Sequence, residues 1–387
     1  MTRRTFLATT MPAAFAASKA APITRIEIFP VPYPVAGHFK FFTGGQRASV
    51  FVKITLEDGR TGWGQSVPVQ TWSYETPEAC AHTLRHYLAP VLIGRDPTDI
   101  AGAHVAMNRA IAPSFSTGMP ITKAGIDLAL HDLLGKITGK SLPELWGRKP
   151  LDRIILSWTV NTTDLAEVET LVAEGKRRGY RHFNIKVAPD PKFDVAMAKL
   201  VRKLAPDCFL WADANGGYDL ASALETAPKL RDAGVNVLEE PVAHNRLSGF
   251  VALKKQGALP IVLDENVVSS VELEEFIKLG MLDGVAMKPA RTAGLWDARR
   301  QVEILEREKL MFLGSGLTDP DVALAASLVL YGAYGLKYPA ALNGLQFLAA
   351  SFLRKPFVLE DGALRVPAGA GLGVEVDEAR IREASRA

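Results

Sequence analysis

Five polar residues in the second half of the chain each follow a short apolar run, and the intervals between them are nearly equal. They are three acids flanked by two lysines: Lys186, Asp213, Glu239, Asp264 and Lys288. Successive members are 27, 26, 25 and 24 residues apart. A (β/α)8 barrel uses about 30 residues for each strand and helix, and its active site lies where the strands end. The spacing therefore predicts that all five side chains converge on one barrel mouth.

Three converging carboxylates repel one another unless a cation lies among them. Ligand sets made only of oxygen atoms favour a hard ion, so Asp213, Glu239 and Asp264 predict a site for Mg²⁺, with Mn²⁺ as the alternative ion. A cation close to an amine favours the neutral, basic form of that amine, and a lysine flanks the acids on either side. The pattern predicts a metal site with two candidate bases.

Length and composition set the class of protein. The 387 residues are enough for a barrel of about 250 residues with a smaller accessory domain. With 48% hydrophobic and 22% charged residues, the composition is that of a soluble globular protein. The formal charge of +3 is slight, and no basic stripe alternates with aromatic residues, so we expect no nucleic-acid partner. No segment approaches the roughly 18 apolar residues of a membrane span.

The first residues have the pattern of an export signal. Arg3 and Arg4 precede a weakly apolar run over residues 8–17, and small residues lie around positions 16–20. This pattern is typical of a twin-arginine signal, which carries folded proteins out of a bacterial cytoplasm. We therefore expect residues 1–21 to be a signal peptide and the enzyme to be periplasmic. The alternative is a flexible basic tail, since short motifs also occur by chance.

The rest of the chain divides into three parts by pattern. Residues 22–145 alternate as strands, turn at Asp58-Gly59 and then follow helical periodicity, which predicts an α+β capping domain. Residues 146–347 alternate between strands and helices, from a first strand at Ile154–Val160 to a last strand at Ala341–Phe347. This alternation predicts a (β/α)7β-type barrel of parallel strands. Residues 348–387 are expected to return to the capping domain.

Two loops of the first domain carry aromatic residues. The loops over 32–47 and 66–75 contain Phe41, Phe42, Trp72 and Tyr74. Core packing alone explains aromatic side chains on such loops poorly, whereas a lid over a ligand explains them well. We expect a lid above the barrel mouth, with Phe41 and Trp72 contacting the substrate.

The polar residues also lie in motifs that resemble a known family. In chain order the motifs are the segment 124–132, the strand ending at Lys186, Asp213-Ala-Asn215, Glu239-Glu-Pro241, Asp264-Glu265 and Lys288. In this order and spacing the chain resembles the enolase superfamily, and within it the muconate-lactonizing-enzyme-like subgroup of the mandelate racemase/muconate lactonizing enzyme family. The resemblance covers residues 23–374. It implies an α/β fold, namely a modified (β/α)8 TIM barrel with an N-terminal α+β capping domain.

The resemblance also implies roles for the five residues. The three acids would bind Mg²⁺, and Lys186 and Lys288 would be acid–base groups on opposite faces of the substrate. The mandelate-racemase subgroup instead needs a histidine on the seventh strand. The last histidine of this chain is His244, so the chain does not resemble that subgroup.

Other polar residues are expected around the metal ligands. Glu240 and Glu265 each follow a ligand and so point elsewhere in a strand, and Asn215 is expected to support a ligand from behind. Two positions depart from better-known relatives. Asn184 replaces the first lysine of a Lys-x-Lys pair, and Asn343 stands where relatives carry acids on the eighth strand. We expect both amides to contact the substrate.

The expected reaction begins with removal of the proton next to a carboxylate, through an enolate that the cation stabilises. A racemase, an epimerase or a cycloisomerase of a small carboxylic acid fits best. The alternatives are a dehydratase that eliminates a β-leaving group, or a periplasmic binding protein without turnover. The distal part of the substrate would meet the aromatic lid or the polar residues Thr318, Asp319 and Asp321 of the seventh loop. A homo-oligomer is also expected.

The export signal generates the first testable prediction. Replacing Arg3 and Arg4 together with lysine is expected to leave the protein in the cytoplasm, folded and active, because the signal lies outside the barrel. Cell fractionation followed by immunoblotting measures the distribution. Delivery of the double variant to the periplasm would show that the N-terminus is not a twin-arginine signal.

Overall fold

The computed structural model describes residues 20–36, 41–42, 45–113 and 117–386. All but the last two positions of the predicted signal peptide therefore lie outside the described residues, as do positions 37–40 and 43–44 of the predicted lid. No helix within the described ranges is both long and apolar enough to cross a membrane.

The first part of the chain is a three-stranded antiparallel sheet covered by helices. The strands are β1 (Ile23–Pro34), β2 (Gln46–Leu56) and β3 (Thr61–Ser66), in spatial order β1-β2-β3. The helices are α1 (Pro77–Thr83), which continues into a π-helical turn at Leu84–Leu88, α2 (Ile100–Ala110), α3 (Pro120–Thr138) and α4 (Leu142–Leu145). Because side chains alternate along a strand, Val50, Val52 and Ile54 of β2 pack in a core with the helices, while Phe51 joins the main core of the molecule.

The second part is a barrel of parallel strands with a helix after each strand. A short β4 (Arg153–Ile155) precedes seven strands that are hydrogen-bonded in chain order: β5 (Ser157–Val160), β6 (His182–Lys186), β7 (Leu210–Asp213), β8 (Val237–Glu239), β9 (Ile261–Leu263), β10 (Gly284–Met287) and β11 (Met311–Gly314). The helices are α5 (Val168–Arg177), α6 (Pro191–Leu204), α7 (Leu220–Asp232), α8 (Leu247–Gln256), α9 (Ser270–Lys278), α10 (Leu295–Glu308) and α11 (Asp321–Ala333). The chain ends with α12 (Gly344–Phe347), β12 (Ala363–Arg365) and α13 (Glu378–Ala384).

The two ends of the barrel differ from the sequence-based prediction. The predicted first strand, Ile154–Val160, is two strands, because β4 pairs antiparallel with β12 and only β5 enters the barrel. The predicted last strand, Ala341–Phe347, is reduced to single bridges, in which Ala340 pairs with Leu156 and Ala341 pairs with Ser315.

A side chain replaces the missing part of the last strand. The side-chain amide of Gln346 accepts a hydrogen bond from the Thr159 N–H at 3.1 Å and donates one to the Thr159 carbonyl at 2.8 Å. Meanwhile the N–H groups of Gln346 and Phe347 both donate to the Asn343 carbonyl, which turns the chain into α12. The backbone of β5 is therefore satisfied without a full eighth strand.

Inward-facing side chains fill the barrel in layers, because every second residue of a strand points to the same side. Six apolar residues form one interior cluster: Trp211, Val237, Val262, Ala286, Leu313 and Ala341. Four of them lie two positions before the acids and Lys288 of the predicted site, so alternation places the polar residues on the same inward face one layer higher. The apolar layer is the floor on which the polar layer rests.

Buried polar contacts join the capping sheet to the barrel. Arg47 of β2 is 2% exposed, and its guanidinium donates to the Leu317 carbonyl at 2.7 and 3.2 Å and to the Val67 carbonyl at 3.1 Å. Burial lowers the pKa of Arg47 to about 10, which leaves it charged at neutral pH. The Tyr33 hydroxyl donates to Asp321 at 2.6 Å. The seventh barrel loop is thus held by the first domain.

The C-terminal segment packs on the capping sheet. Lys53 of β2 contacts both carboxylate oxygens of Glu378 at 2.8 Å, and Arg382 lies 2.9 Å from Glu27 of β1. The Phe352 ring meets that of Tyr33 edge-on, with 5.1 Å between the ring centroids. Residues 348–386 therefore connect the barrel back to the first sheet.

Close packing of α3 on β3 generates the second prediction. Gly64 faces Gly125 so closely that a Cβ atom on Gly64 would overlap the Gly125 carbonyl oxygen and lie 2.7 Å from the Ala129 nitrogen. Both obstacles are backbone and cannot rotate away. Gly64→Ala is therefore expected to lower the free energy of unfolding by roughly 1–3 kcal/mol or more, the range for overpacking a core.

Gly249→Ala is the matched control for this measurement. A Cβ atom on Gly249, in α8, would meet only side-chain atoms, of which the nearest belongs to Val242 at 3.2 Å. Urea denaturation of the two variants measures the free energy of unfolding. Equal stability of both variants would contradict the close approach of α3 to β3.

Candidate active site

The strand ends bring the five predicted residues together. Lys186, Asp213 and Glu239 are the last residues of β6, β7 and β8, and pairing in register places Lys186 opposite Asp213 and Asp213 opposite Glu239. Asp264 and Lys288 follow directly after β9 and β10. All five are less than half exposed, and Asp264 is fully buried. The convergence predicted from the spacing is present in the fold.

Cations hold the outer acids of this row. Lys186 Nζ donates to Asp213 Oδ2, and Lys288 Nζ donates to Asp264 Oδ2. Arg291 Nη1 donates to the other oxygen of Asp264. Because Asp213 and Asp264 lie on either side of Glu239 in strand order, the two lysines approach the three acids from opposite ends.

Glu239 is the acid whose negative charge is least offset by nearby cations and hydrogen-bond donors. Its Oε1 is shielded from solvent and accepts no hydrogen bond, and the nearest cation, Lys288 Nζ, lies 4.0 Å away. Burial, followed by the charges of Asp213 and Asp264, raises its pKa well above the usual value. A buried oxygen without a partner between two further carboxylates fits a divalent cation bound by Asp213, Glu239 and Asp264.

The pKa values of Lys186 and Asp264 also depend on the charges of the adjacent groups. Burial alone would lower the pKa of Lys186, but the charges of Asp213 and Glu239 outweigh burial and raise it. Burial would raise the pKa of Asp264, yet Lys288 and Arg291 hold it below its usual value. Protonation of any one group therefore depends on the charge of the others.

A cavity opens above the row of acids. Its lining combines aromatic and apolar side chains with the polar residues of the strand ends: Phe41, Phe42, Val69, Trp72, Asn184, Lys186, Asp213, Asn215, Glu239, Lys288, Ser315, Gly316, Leu317, Thr318, Ala341 and Asn343. The Lys288 ammonium lies 4.9 Å from the centroid of the Trp72 ring, within the range of a cation–π contact. The capping domain therefore supplies one wall of the cavity and the barrel supplies the other.

Three amides surround the charged groups. Asn184 accepts hydrogen bonds from Thr159 Oγ1 at 3.0 Å and Ser157 Oγ at 3.3 Å, which fixes the orientation of its amide. Asn215 Nδ2 donates to Glu265 at 3.0 Å, and its backbone N–H donates to Asp213 at 2.9 Å. Asn343 is buried, and its Oδ1 has no hydrogen-bond partner among the described residues. Asn343 thus offers an acceptor to a bound molecule.

The chain matches known families along most of its length. Residues 24–147 match the family described as "Mandelate racemase / muconate lactonizing enzyme, N-terminal domain", and residues 166–380 match "Enolase C-terminal domain-like". The chain belongs to the mandelate racemase/muconate lactonizing enzyme family. The predicted resemblance to this family of the enolase superfamily is confirmed.

Similar proteins from the family are isomerases. The chain is 28% identical to chloromuconate cycloisomerase CbnB of Cupriavidus necator over 353 residues, which cover 90% of this chain and 94% of that protein. It is 26% identical to N-succinyl-L-Arg/Lys racemase of Bacillus cereus over 369 residues, which cover 93% and 97% of the two chains. Cycloisomerases and racemases are isomerases, so the prediction of an enzyme of the isomerase class is confirmed.

Solved structures agree with the barrel. The muconate lactonizing enzyme of Pseudomonas fluorescens, solved with muconolactone, superposes with a TM-score of 0.87 at 26% identity, over 94% of this chain and 99% of that chain. The prediction of a TIM-barrel-like enolase fold is confirmed by this likeness.

The structure separates the predicted supporting residues of this family member into two groups. Asn184, Asn215, Asn343, Trp72 and Phe41 line the cavity. Glu240 and Glu265 do not line it, as expected for residues that follow an inward-facing ligand. Glu265 instead lines a neighbouring cavity with Trp72, Tyr74, His244 and Arg291.

Two residues of the seventh loop that were predicted as candidate contacts for the distal part of the substrate lie outside the cavity. Asp319 accepts from the Leu317 N–H at 3.0 Å and from Ser327 Oγ at 3.1 Å. Asp321 accepts from Tyr33, Ser351 and the Phe352 N–H, at distances of 2.5 to 2.7 Å. Neither lines the cavity, whereas Thr318 does. The Asp319 carboxylate is used within the seventh barrel unit, and the Asp321 carboxylate joins the barrel to the first domain and the C-terminal segment.

Sequence reasoning missed three residues near the site. Arg291 follows Lys288 by three residues and shares Asp264 with it, and His244 follows Glu240 by four residues and contacts it. Arg47 holds the Leu317 carbonyl and lies 5.8 Å from the Phe42 ring. The short spacings after strand ends could have indicated Arg291 and His244, but nothing local indicated Arg47.

The poor compensation of Glu239 generates the third prediction. Its pKa in the folded state is raised above 4.5, so the folded state binds more protons than the unfolded state and loses stability as pH rises above that value. In EDTA at pH 8, Glu239→Gln is therefore expected to raise the free energy of unfolding by about 1–3 kcal/mol. The gain should shrink towards pH 5, and Mg²⁺ should raise the melting temperature of the wild type but not of the variant.

Glu225→Gln is the control, because Glu225 lies on an exposed helix face and pairs with Lys229 there. Its effect is expected to stay within about 0.5 kcal/mol. Calorimetry in EDTA and in Mg²⁺ at both pH values makes the comparison. A Glu239→Gln protein that is less stable than the wild type under all conditions would contradict the electrostatic account.

Proposed function

We propose that the protein is a Mg²⁺-dependent isomerase that removes the proton next to the carboxylate of a small acid and returns a proton to the resulting enolate. The observation that carries this proposal is the row of three acids with a lysine at each end. Asp213, Glu239 and Asp264 would hold the ion, with Mn²⁺ as the alternative. Membership of the family and isomerase relatives support the same reaction class.

The proposed reaction needs a metal to stabilise charge and two residues to transfer protons. A bound Mg²⁺ would stabilise the negative charge that grows on the substrate carboxylate as the α-proton leaves. One lysine in its neutral form takes that proton at Nζ, and the other, protonated, donates at Nζ from the opposite side. After turnover the two lysines have exchanged protonation states, so no net proton is consumed. Lys186 and Lys288 suit these roles because they approach from opposite ends of the row.

The presence of two lysines favours racemisation or epimerisation, because these reactions need a base on one face of the substrate and an acid on the other. Elimination by a dehydratase needs only one base, and a binding protein needs none. Cycloisomerisation is the second candidate, supported by the printed activity of the Cupriavidus necator relative. The same enolate would precede racemisation, elimination and cycloisomerisation, so the measurement must follow both the α-proton and the product.

The cavity indicates the class of acid. Phe41, Phe42 and Trp72 make an apolar wall, and Asn343 Oδ1 offers an acceptor without a partner of its own. Among the described residues that line the cavity, the carboxylates are those of Asp213 and Glu239, both assigned to the metal. A free ammonium group would therefore lack a counter-charge. We infer that hydroxylated, cyclic or N-blocked carboxylic acids are better substrates than free dipeptides.

Two further expectations belong to the same proposal. The twin-arginine pattern supports a periplasmic site of action, although the signal lies outside the described residues. A homo-oligomer also stays a prediction. Neither property is needed for the chemistry at the barrel mouth.

Exchange of the α-proton in D₂O tests the proposed function. A library of small carboxylic acids, with N-blocked, hydroxylated and free-amine members, is incubated with Mg²⁺-loaded enzyme and followed by NMR and chiral chromatography. The N-blocked or hydroxylated members are expected to exchange. On the acid that reacts, Lys186→Ala and Lys288→Ala should each reduce turnover by at least about 100-fold, the low end for loss of a general acid or base.

The two lysine variants should differ in one respect. Each is expected to retain exchange with one enantiomer of the substrate, because the remaining lysine still serves one face. Exposed Lys278→Ala is the control and should match the wild type. Full turnover by Lys288→Ala would overturn the two-base reaction in favour of elimination, and binding without any exchange would identify a binding protein.

A further inference from the structure

A second cluster of metal-ligating side chains lies behind the barrel mouth. Glu240 and Glu265 each follow one of the proposed Mg²⁺ ligands, and His244 follows Glu240 by four residues. The ligand atoms of these three residues all lie within 4.8 Å of one another. The cluster therefore brings two carboxylates and one imidazole to a single point.

The spacing of the atoms suits a small divalent ion. His244 Nδ1 lies 3.2 Å from Glu240 Oε1. Zinc bonds of about 2.0–2.2 Å in a tetrahedron place neighbouring ligand atoms about 3.3–3.6 Å apart. The pair thus already has the separation of two ligands of one ion, and a Glu265 oxygen lies within 4.8 Å of both.

An oxygen without a partner points to an absent ligand. Glu265 Oε2 is shielded from solvent and accepts no hydrogen bond, although Asn215 donates to Oε1 of the same carboxylate. A protonated His244 would satisfy Glu240 but would leave this oxygen unpaired. Glu240 is itself completely buried, and no lysine or arginine of the described chain forms an ion pair with either carboxylate. Buried carboxylates in this state are costly unless a cation joins them.

We propose that Glu240, His244 and Glu265 bind a second divalent cation of the transition-metal class, with Zn²⁺ as the representative ion. Imidazole is a ligand for Zn²⁺ and its neighbours in the periodic table, whereas Mg²⁺ takes oxygen ligands. The two sites therefore differ in the ion that they select. The second ion would cross-link the ends of β8 and β9 and so hold the two preceding acids, Glu239 and Asp264, in place.

The site has an entry path and an open side. His244 and Glu265 line the cavity next to the barrel mouth, and the His244 side chain is 49% exposed. An ion with three protein ligands keeps a coordination position for water, as open zinc sites do. Trp72 lines this cavity and the substrate cavity alike, so the two sites are neighbours without sharing a ligand.

Metal counting in the presence of excess Mg²⁺ tests the site. The wild-type protein is stripped with EDTA, saturated with Mg²⁺ and titrated with Zn²⁺ in a calorimeter, and bound zinc is counted after gel filtration. One Zn²⁺ per chain is expected. His244→Ala and Glu265→Gln should each weaken Zn²⁺ binding by at least about tenfold, since even loss of a residue outside the ligand set costs that much. Both should still bind Mg²⁺, which shows that the barrel mouth is folded.

A surface histidine pair is the rival site and supplies the control. His82 and His86 are exposed, with ring centroids 4.4 Å apart. His86→Ala should leave the Zn²⁺ count unchanged, and anomalous diffraction at the zinc edge should place the ion beside His244. The proposal is overturned if the wild type binds no zinc under these conditions, or if the zinc is lost in His86→Ala. It is also overturned if the anomalous peak lies among Asp213, Glu239 and Asp264.

Discussion

Repulsion among three buried carboxylates is the constraint on which the rest of the site depends. Asp213, Glu239 and Asp264 end neighbouring parallel strands, and pairing in register puts their side chains into one layer above the apolar floor. Lys186, Lys288 and Arg291 offset this charge, yet Glu239 keeps a buried oxygen without a partner. Such an arrangement lowers stability. Active sites accept that cost because a preorganised charge stabilises a transition state better than water does.

The chemistry and the choice of substrate come from different parts of the molecule. In the proposed reaction the strand ends supply the acids and lysines that act on the substrate carboxylate. Phe41, Phe42 and Trp72 belong to the first domain and line the cavity opposite the strand ends, where the proposal places the rest of the substrate. Arg47 connects the two parts, because its buried guanidinium holds the seventh loop of the barrel beside Phe42. A change in the capping loops can therefore alter specificity while leaving the reacting groups where they are.

Pairs of adjacent acids place the two proposed ion sites at the same strand ends. Successive residues of a strand face opposite sides, so Glu239 points into the barrel mouth and Glu240 points behind it. The same holds for Asp264 and Glu265. The inward members meet lysines, and the outward members meet His244 and Asn215. The alternation that separates core from surface in an ordinary strand here separates the three acids of the proposed Mg²⁺ site from the carboxylates that lie beside His244.

The sequence by itself determined the row of five residues, because a βα repeat of nearly constant length and a two-residue strand period are both visible along the chain. The family resemblance of the sequence also indicated the amides Asn184 and Asn343, which stand where relatives carry charged residues. Only the tertiary structure decided that the last strand is replaced by the Gln346 side chain, that Asp321 serves the domain junction, and that Arg47 supports the cavity. These outcomes depend on contacts between residues up to 288 positions apart. The local period of apolar residues does not predict such contacts, because they depend on which surfaces of the first domain and the barrel pack together.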